Sequence, residues 1–247
     1  MEILQSFINR LLEAKSVVFF TGAGISAESG IPTFRGKDGI WNKLKPEELA
    51  NFDAFIRNPE MVWEWYTHRK KIIHESKPNP GHTAIAEMQN IFDRVTVVTQ
   101  NIDNLHRRAG SREIYELHGN IERNYCIQCR TFYNEELPME GKIPKCSKCG
   151  GLVRPDIVWF GEYLPQDQFS ASEKASGESD VFFVVGTSAV VFPAASLIYT
   201  ARDKGAYIVE VNVEETEISY LADKSFYGEA GKILPLIAES LRNEKNR

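Results

Sequence analysis

Four cysteines fall in two pairs, Cys126-x-x-Cys129 and Cys146-x-x-Cys149, with sixteen residues between them. Two such knuckles present four thiolates tetrahedrally, and the duplicated spacing, with Gly150 and Gly151 after the second, reads as a structural zinc site rather than as a redox pair or free thiols. A closed four-thiolate shell leaves no position for a substrate, so chemistry has to come from elsewhere. His118 follows the run Ile114-Tyr115-Glu116-Leu117 and precedes Gly119-Asn120. An imidazole there can take a proton near neutral pH, although a lone histidine at a strand edge serves structure equally well. Gly22-Ala23-Gly24-Ile25-Ser26-Ala27 satisfies G-x-G-x-x-A directly after Val17–Phe20. Glycines in that pattern let backbone approach a pyrophosphate, but the same residues fit an ordinary tight βα turn. The acidic residue that usually follows about 20 positions on is missing, so a bound dinucleotide would have its ribose held differently. Gln100-Asn101-Ile102-Asp103 is a polar cluster after a buried run, and also suits a capped loop. Tyr66 and Arg69 are three apart on an expected helix, Met61–Ile73. A guanidinium beside a phenol suits a carboxylate, while the spacing alone favours a solvated face with an aromatic anchor.

These residues need elements to hold them. Apolar, β-rich runs recur at Val17–Phe20, Val95–Val98, Ile114–Leu117, Ile157–Phe160, Val181–Val185 and Tyr207–Val211, most of them continuous, as expected of strands buried on both faces. Helical patterns between several of them (Thr83–Ile91, Ala194–Asp203) predict an α/β fold with a doubly wound, mainly parallel sheet. Nearly every run ends in a polar or glycine-rich loop, and in such sheets ligands bind outside the carboxyl ends of the strands. Residues 36–80, rich in Trp, Tyr, Phe and charge, and residues 121–154, which hold the cysteines, interrupt the pattern and are expected to form a smaller domain.

Composition narrows the class. A chain of 247 residues, 43% hydrophobic and 26% charged, can bury a large core and carry a smaller module. A net charge of −5 argues against a nucleic-acid-binding body, and no window reaches the roughly 18 apolar residues of a membrane span. The amphipathic start (Leu4, Phe7, Ile8, Leu11, Leu12) does not read as a signal peptide, and paired Cys-x-x-Cys motifs suit a reducing compartment, so a cytoplasmic monomer is expected.

In this order the motifs resemble the sirtuin family. The resemblance rests on Gly22 to Gly36, Thr99-Gln100-Asn101-Ile102-Asp103, Leu117-His118-Gly119, the four cysteines, Pro155 to Glu162, Gly186-Thr187-Ser188 and Asn212-Val213-Glu214, and spans about residues 17–230. It implies a Rossmann-like NAD-binding domain (1–35, 81–120 and 155–247) and a small domain of a helical module (36–80) and a zinc-ribbon module (121–154). The activity it implies is NAD-dependent removal of acyl groups from protein lysines, giving nicotinamide and O-acyl-ADP-ribose, with one structural zinc ion per chain.

The resemblance also implies roles. Gly22, Ala23 and Gly24 would pass the pyrophosphate, Arg35 would neutralise it, and Phe34 would cover the ribose. Asn101, Ile102 and Asp103 would hold nicotinamide, with Gln100 on its ribose. Gly186, Thr187, Ser188, Asn212, Val213, Glu214 and Ala230 would take the adenosine end, and Ile25, Ala27, Thr33 and Trp41 complete the cofactor set. His118 would be the general base on a ribose hydroxyl, with Asn101 and Asp103 as its catalytic companions. Val158, Trp159, Phe160, Gly161 and Glu162 would pair with the substrate main chain as an added strand. Tyr66-x-x-Arg69, with Ala27-Glu28-Ser29, resembles the sirtuins that remove succinyl and malonyl groups; Trp159 stands where many relatives carry Phe, and Pro46 would wall the acyl pocket. The rival readings are mono-ADP-ribosyl transfer to a protein nucleophile, and a zinc-ribbon module that binds nucleic acid and senses NAD.

Overall fold

The computed structural model describes residues 5–34, 39–40, 45–137 and 142–246, apart from the side chains of Pro46 and Glu47. Arg35 and Trp41 lie outside these residues, as does the side chain of Pro46.

The chain opens with α1 (Gln5–Leu12), whose Phe7, Ile8 and Leu11 form one buried stripe, and enters β1 (Ser16–Thr21), buried along almost its whole length. A short turn of helix, α2 (Gly24–Ala27), follows. Three further helices, α3 (Pro46–Leu49), α4 (Phe52–Arg57) and α5 (Pro59–Glu75), fill the segment read as helical. The starts of α4 and α5 are written in the sequence: Asn51 Oδ1 accepts the N–H groups of Asp53 and Ala54, and Asn58 Oδ1 that of Met61, with Pro59 at the first helical position. The same device, Asn79 then Pro80, begins α6 (Pro80–Met88). Then come β2 (Arg94–Thr99), α7 (Leu105–Arg108), β3 (Glu113–Glu116), β4 (Gly119–Cys126), β5 (Val153–Ile157), α8 (Gln166–Gly177), β6 (Val181–Val185), α9 (Ser196–Asp203), β7 (Tyr207–Asn212), β8 (Lys224–Tyr227) and α10 (Ala230–Lys245).

The main sheet runs β3-β2-β1-β6-β7-β8, every neighbour parallel. The order reverses between β1 and β6, which is the doubly wound arrangement, with a crevice at the switch point. Alternation along β1 divides the core. Val17 and Phe19 join a cluster with α1, α6 and α10 on one face, and Val18 and Phe20 join a cluster with α8 and α9 on the other. Phe19 stacks on Phe183 at 4.7 Å between centroids. Full burial of such a ring stabilises the fold by about 1.5–3 kcal/mol.

A third cluster gathers Phe55, Val62, Trp63, Tyr66 and Ile73 with Ile121, Val153, Trp159, Cys126 and Cys146. It joins the α3–α5 helices to a second sheet, the antiparallel pair β4–β5. The fold is therefore α/β, a Rossmann-like parallel sheet with a smaller helical and cysteine-bearing unit. Two expectations are corrected. The apolar run 157–160 is not a strand of the parallel sheet: β5 begins at Val153 and ends at Ile157, and Trp159 is buried against aromatic rings instead of sheet neighbours. The face carrying Tyr66 and Arg69 is not solvated, because both are buried, at 4% and 5% exposure. Among the described residues no helix is long and apolar enough to cross a membrane.

Candidate active site

All six parallel strands end on one edge, so the loops after β1, β2, β6 and β7 meet there. At the switch point the β1 and β6 loops touch: Gly24 N–H donates to Gly186 O at 2.7 Å, and Gly186 N–H to Val211 O at 2.9 Å. A Cβ on Gly24 would sit 2.7 Å from the Gly186 backbone, and Gly186 itself has φ +57°. The glycine spacing is thus demanded by the meeting of the two loops, whatever ligand lies above them. Thr187 closes the crevice from the β6 side, accepting from Gln100 Nε2 at 3.0 Å. Asn212 Nδ2 donates to Thr187 O at 3.4 Å, and Ser188, Val213 and Glu214 stand exposed at the rim.

The β2 loop is held from below. Asn101 Nδ2 donates to Gly22 O at 2.9 Å and to Ser26 Oγ at 3.3 Å. Ser26 Oγ donates in turn to Asp103 Oδ2 at 2.7 Å, and Asp103 Oδ1 caps Leu105 N at 2.9 Å. Burial pushes the Asp103 carboxyl above its usual range, while these two bonds and the fields of Arg69 and Arg108 pull it down. Behind Ser26 lies His82, with Nε2 at 3.5 Å from Ser26 Oγ and Nδ1 accepting from Asn79 N at 3.4 Å. Burial pushes His82 down to about 4, so it is neutral at pH 7 and its remaining proton is on Nε2. His106 lies beside it, the rings tilted at 60° with centroids 4.8 Å apart, and meets Thr21 Oγ1 at 2.9 Å. Ser26, His82 and His106 were not singled out as functional in the sequence; the capping signature Asn79-Pro80-Gly81-His82 was the one available signal, and it points to a helix start.

His118 lies between β3 and β4, half-buried at the same edge. Its Nδ1 is 2.9 Å from Gln100 O. A carbonyl can only accept, so Nδ1 carries the proton and Nε2 keeps its lone pair. Burial lowers the His118 pKa below 6.5, against the bond to Gln100.

The segment after β5 packs beside this histidine: Val158 N–H donates to His118 O at 2.9 Å, Trp159 N–H to Glu162 Oε2 at 2.8 Å, and Phe160 N–H to Ala50 O at 2.9 Å. Glu162 is also ion-paired with the buried Arg154. Trp159 Nε1 donates to Tyr66 Oη at 2.9 Å. The Arg69 guanidinium lies over Phe34 at 4.7 Å and Trp65 at 5.6 Å, and among the described residues its Nε meets no hydrogen-bond partner. The side chains of Ile25 and Ala230 belong to the core cluster, so any part they take in binding falls to their backbone. Ala27 is exposed, while Thr33 and Phe34 are half-buried at the edge of the cleft.

The four thiols converge away from this edge. All four Sγ atoms lie within 4.8 Å of one another, with Cys126 to Cys149 at 3.5 Å and Cys129 to Cys146 at 3.6 Å. Zinc–sulfur bonds of about 2.3 Å in a tetrahedron put sulfurs roughly 3.8 Å apart, so the four fit one zinc ion. An open cleft of about 750 Å³ behind α5, lined by Lys70, His74 and Phe132 among others, touches none of the strand-end loops and is not the site described here.

Comparison with known proteins agrees with this geometry. Residues 22–193 match the Sir2 family. An NAD-dependent protein deacylase of Aquifex aeolicus is 50% identical over 234 residues, covering 94% of this chain and 98% of that protein. A solved Sir2 homologue–NAD complex is 43% identical with a TM-score of 0.92, covering 98% of this chain and 95% of its own. A Sir2 variant with deacetylated p53 peptide and 3′-O-acetyl-ADP-ribose is 34% identical with a TM-score of 0.88, covering 97% and 98%. The chain belongs to the Sir2 family.

Proposed function

We propose a division of labour among the residues of a chain that, as a member of this family, is an NAD-dependent protein deacylase. When bound, NAD would supply a ribose carbon to which the acyl oxygen of the substrate can bond as the bond to nicotinamide breaks and nicotinamide departs. The crevice between the β1 and β6 loops is suited to its pyrophosphate, the Gln100–Asp103 loop to nicotinamide and its ribose, and Thr187, Ser188, Asn212, Val213 and Glu214 to the adenosine end. Asp103 and Asn101 act by position: their polar atoms are tied to Ser26, Leu105 and Gly22, which fixes the loop. His118, with Nδ1 committed to Gln100 O, presents Nε2 as the base for a ribose hydroxyl.

A substrate strand laid against Val158–Glu162 finds the N–H groups of Val158, Trp159, Phe160 and Glu162 already partnered, which leaves Gly161 and the carbonyls to pair with it. The proposed division into an NAD domain and a small domain is supported by the clusters on the two faces of the parallel sheet and by a third under the helices and cysteines, which also takes in Ile31, Leu105 and Trp159 from the large domain. Four thiols gathered for a metal suit a reducing compartment such as the cytoplasm.

The acyl group is where one observation decides. Tyr66 Oη accepts from Trp159, and among the described residues nothing accepts its proton; beside it, Arg69 is a buried cation whose Nε is unmatched. Two buried donors without acceptors are costly unless a ligand supplies them, and a carboxylate supplies acceptors only. The proposed range is therefore acetyl together with succinyl and malonyl. Incubation with NAD and acetyl, malonyl and succinyl peptides, followed by mass spectrometry, tests it. Nicotinamide release that proceeds without acyl-lysine would instead indicate ADP-ribosyl transfer, and absence of turnover on either acidic peptide would remove the wider range.

A further inference from the structure

The indole of Trp159 is fixed on all sides. Arg154, 2% exposed, has its guanidinium carbon 3.4 Å from the ring centroid, Phe55 meets it at 5.3 Å and 49°, and the Glu162 carboxylate holds its backbone N–H. Held so, its Nε1–H reaches Tyr66 Oη, and the two rings lie 6.2 Å apart. A phenol can give a hydrogen bond or take one. Once the indole donates to it, the oxygen's acceptor role is filled, and the proton is what remains to offer. Tyr66 keeps that proton, because burial pushes its pKa up to about 12. A phenylalanine at 159 could make the same stack on Arg154 but could not donate, and the phenol would then be free to accept from a water or an amide.

We infer that Trp159 is a positioning residue for acyl selectivity: its indole N–H turns Tyr66 into a one-way donor, so that the pocket favours acyl tails ending in an acceptor. The inference rests on the proposal that Tyr66 and Arg69 line the acyl pocket. It adds a third residue that need not touch the acyl tail and works only through Tyr66, which makes it separable by experiment.

The measurement is the ratio of kcat/KM for succinyl over acetyl peptide in wild type, Trp159→Phe, Tyr66→Phe and the double variant. Loss of one orienting bond in a dry site is expected to lower the ratio by about threefold to tenfold in Trp159→Phe, through KM for the succinyl peptide. In the Tyr66→Phe background the same change is expected to shift the ratio by less than about twofold, because the phenol it orients is gone. Equal shifts in both backgrounds, or a loss common to both peptides, would overturn the role. Should Trp159→Phe fail to fold, a 3-benzothienylalanine installed at position 159 keeps the fused ring and lacks the N–H, and the same ratio is read. If Arg69→Met lowers the ratio and neither change at 159 does, the acidic-acyl proposal stands and this inference falls. If no variant moves it, both fall.

Discussion

At the scale of single residues the reaction depends on which atoms hold protons. His118→Ala removes the base and leaves the strand-end loops intact, so NAD binding should persist while deacylation falls by about 10²–10⁴-fold. Turnover within tenfold of wild type would refute the assignment. Because burial lowers the His118 pKa below 6.5, the neutral, proton-accepting form already prevails at pH 7. The kcat/KM profile should rise with pH through an inflection below 6.5 and then run flat, and an inflection above 7 would point to another group. Arg69→Met keeps much of the stem and removes the charge; a charge-assisted bond contributes roughly 1.5–3 kcal/mol, so the succinyl-to-acetyl ratio should fall about tenfold to a hundredfold. A smaller fall is expected for Tyr66→Phe. Residue identities such as the four cysteines and His118 could be picked from the sequence because their chemistry is tied to type and spacing. The parts of Ser26 and His82, and the bond of Trp159 to Tyr66, could not, since they depend on partners 56 to 93 positions away.

At the scale of elements, what the sequence showed was whatever periodicity and caps dictate. β1, β2, β6 and β7 are buried on both faces and appeared as apolar runs, broken only by Thr96 in β2 and Glu210 in β7; α5 was anticipated at Met61–Ile73 and runs from Pro59, capped by Asn58, to Glu75. β4 and β5 went unread, since β4 mixes Glu122, Arg123 and Asn124 into its length and its register shifts between Asn120 and Asn124. The elements also set the response to acid. His82 on α6 and His106 on α7 sit in contact, their pKa values lowered by burial and, for His106, by its neighbour as well. An unfolded chain takes up these protons below about 6.5, whereas in the folded one His82 stays neutral down to about 4 and His106 is held well below its usual range, so stability should decline as pH falls through that window. Thermal midpoints measured from pH 7 to 4 test this, and a flat profile would mean that the pair is charged or exposed in solution.

At the scale of the whole molecule, the thiol cluster and the first loop join distant parts of the chain. Zinc at one per chain should be found in the purified protein, and Cys126→Ala should loosen the cluster built on Phe55, Trp63 and Trp159 more than the parallel sheet, because the metal's binding energy is folding energy for the unit it joins. Metal analysis with hydrogen exchange would show it; a metal-free protein with the same protection would refute it. The other join is Glu28, whose Oε1 accepts from Gly231 N at 2.7 Å, linking the first loop to the start of α10 across 203 positions. On a ribosome Glu28 emerges 203 residues before Gly231. The loop that frames the dinucleotide crevice can close early against Asn79 and Gly186, but it lacks its tie to α10 until that helix has left the exit tunnel. A stalled nascent chain ending before Ala230 should expose residues 27–30 to protease even with saturating NAD, and protection of that loop before α10 emerges would show that it sets without its distant partner.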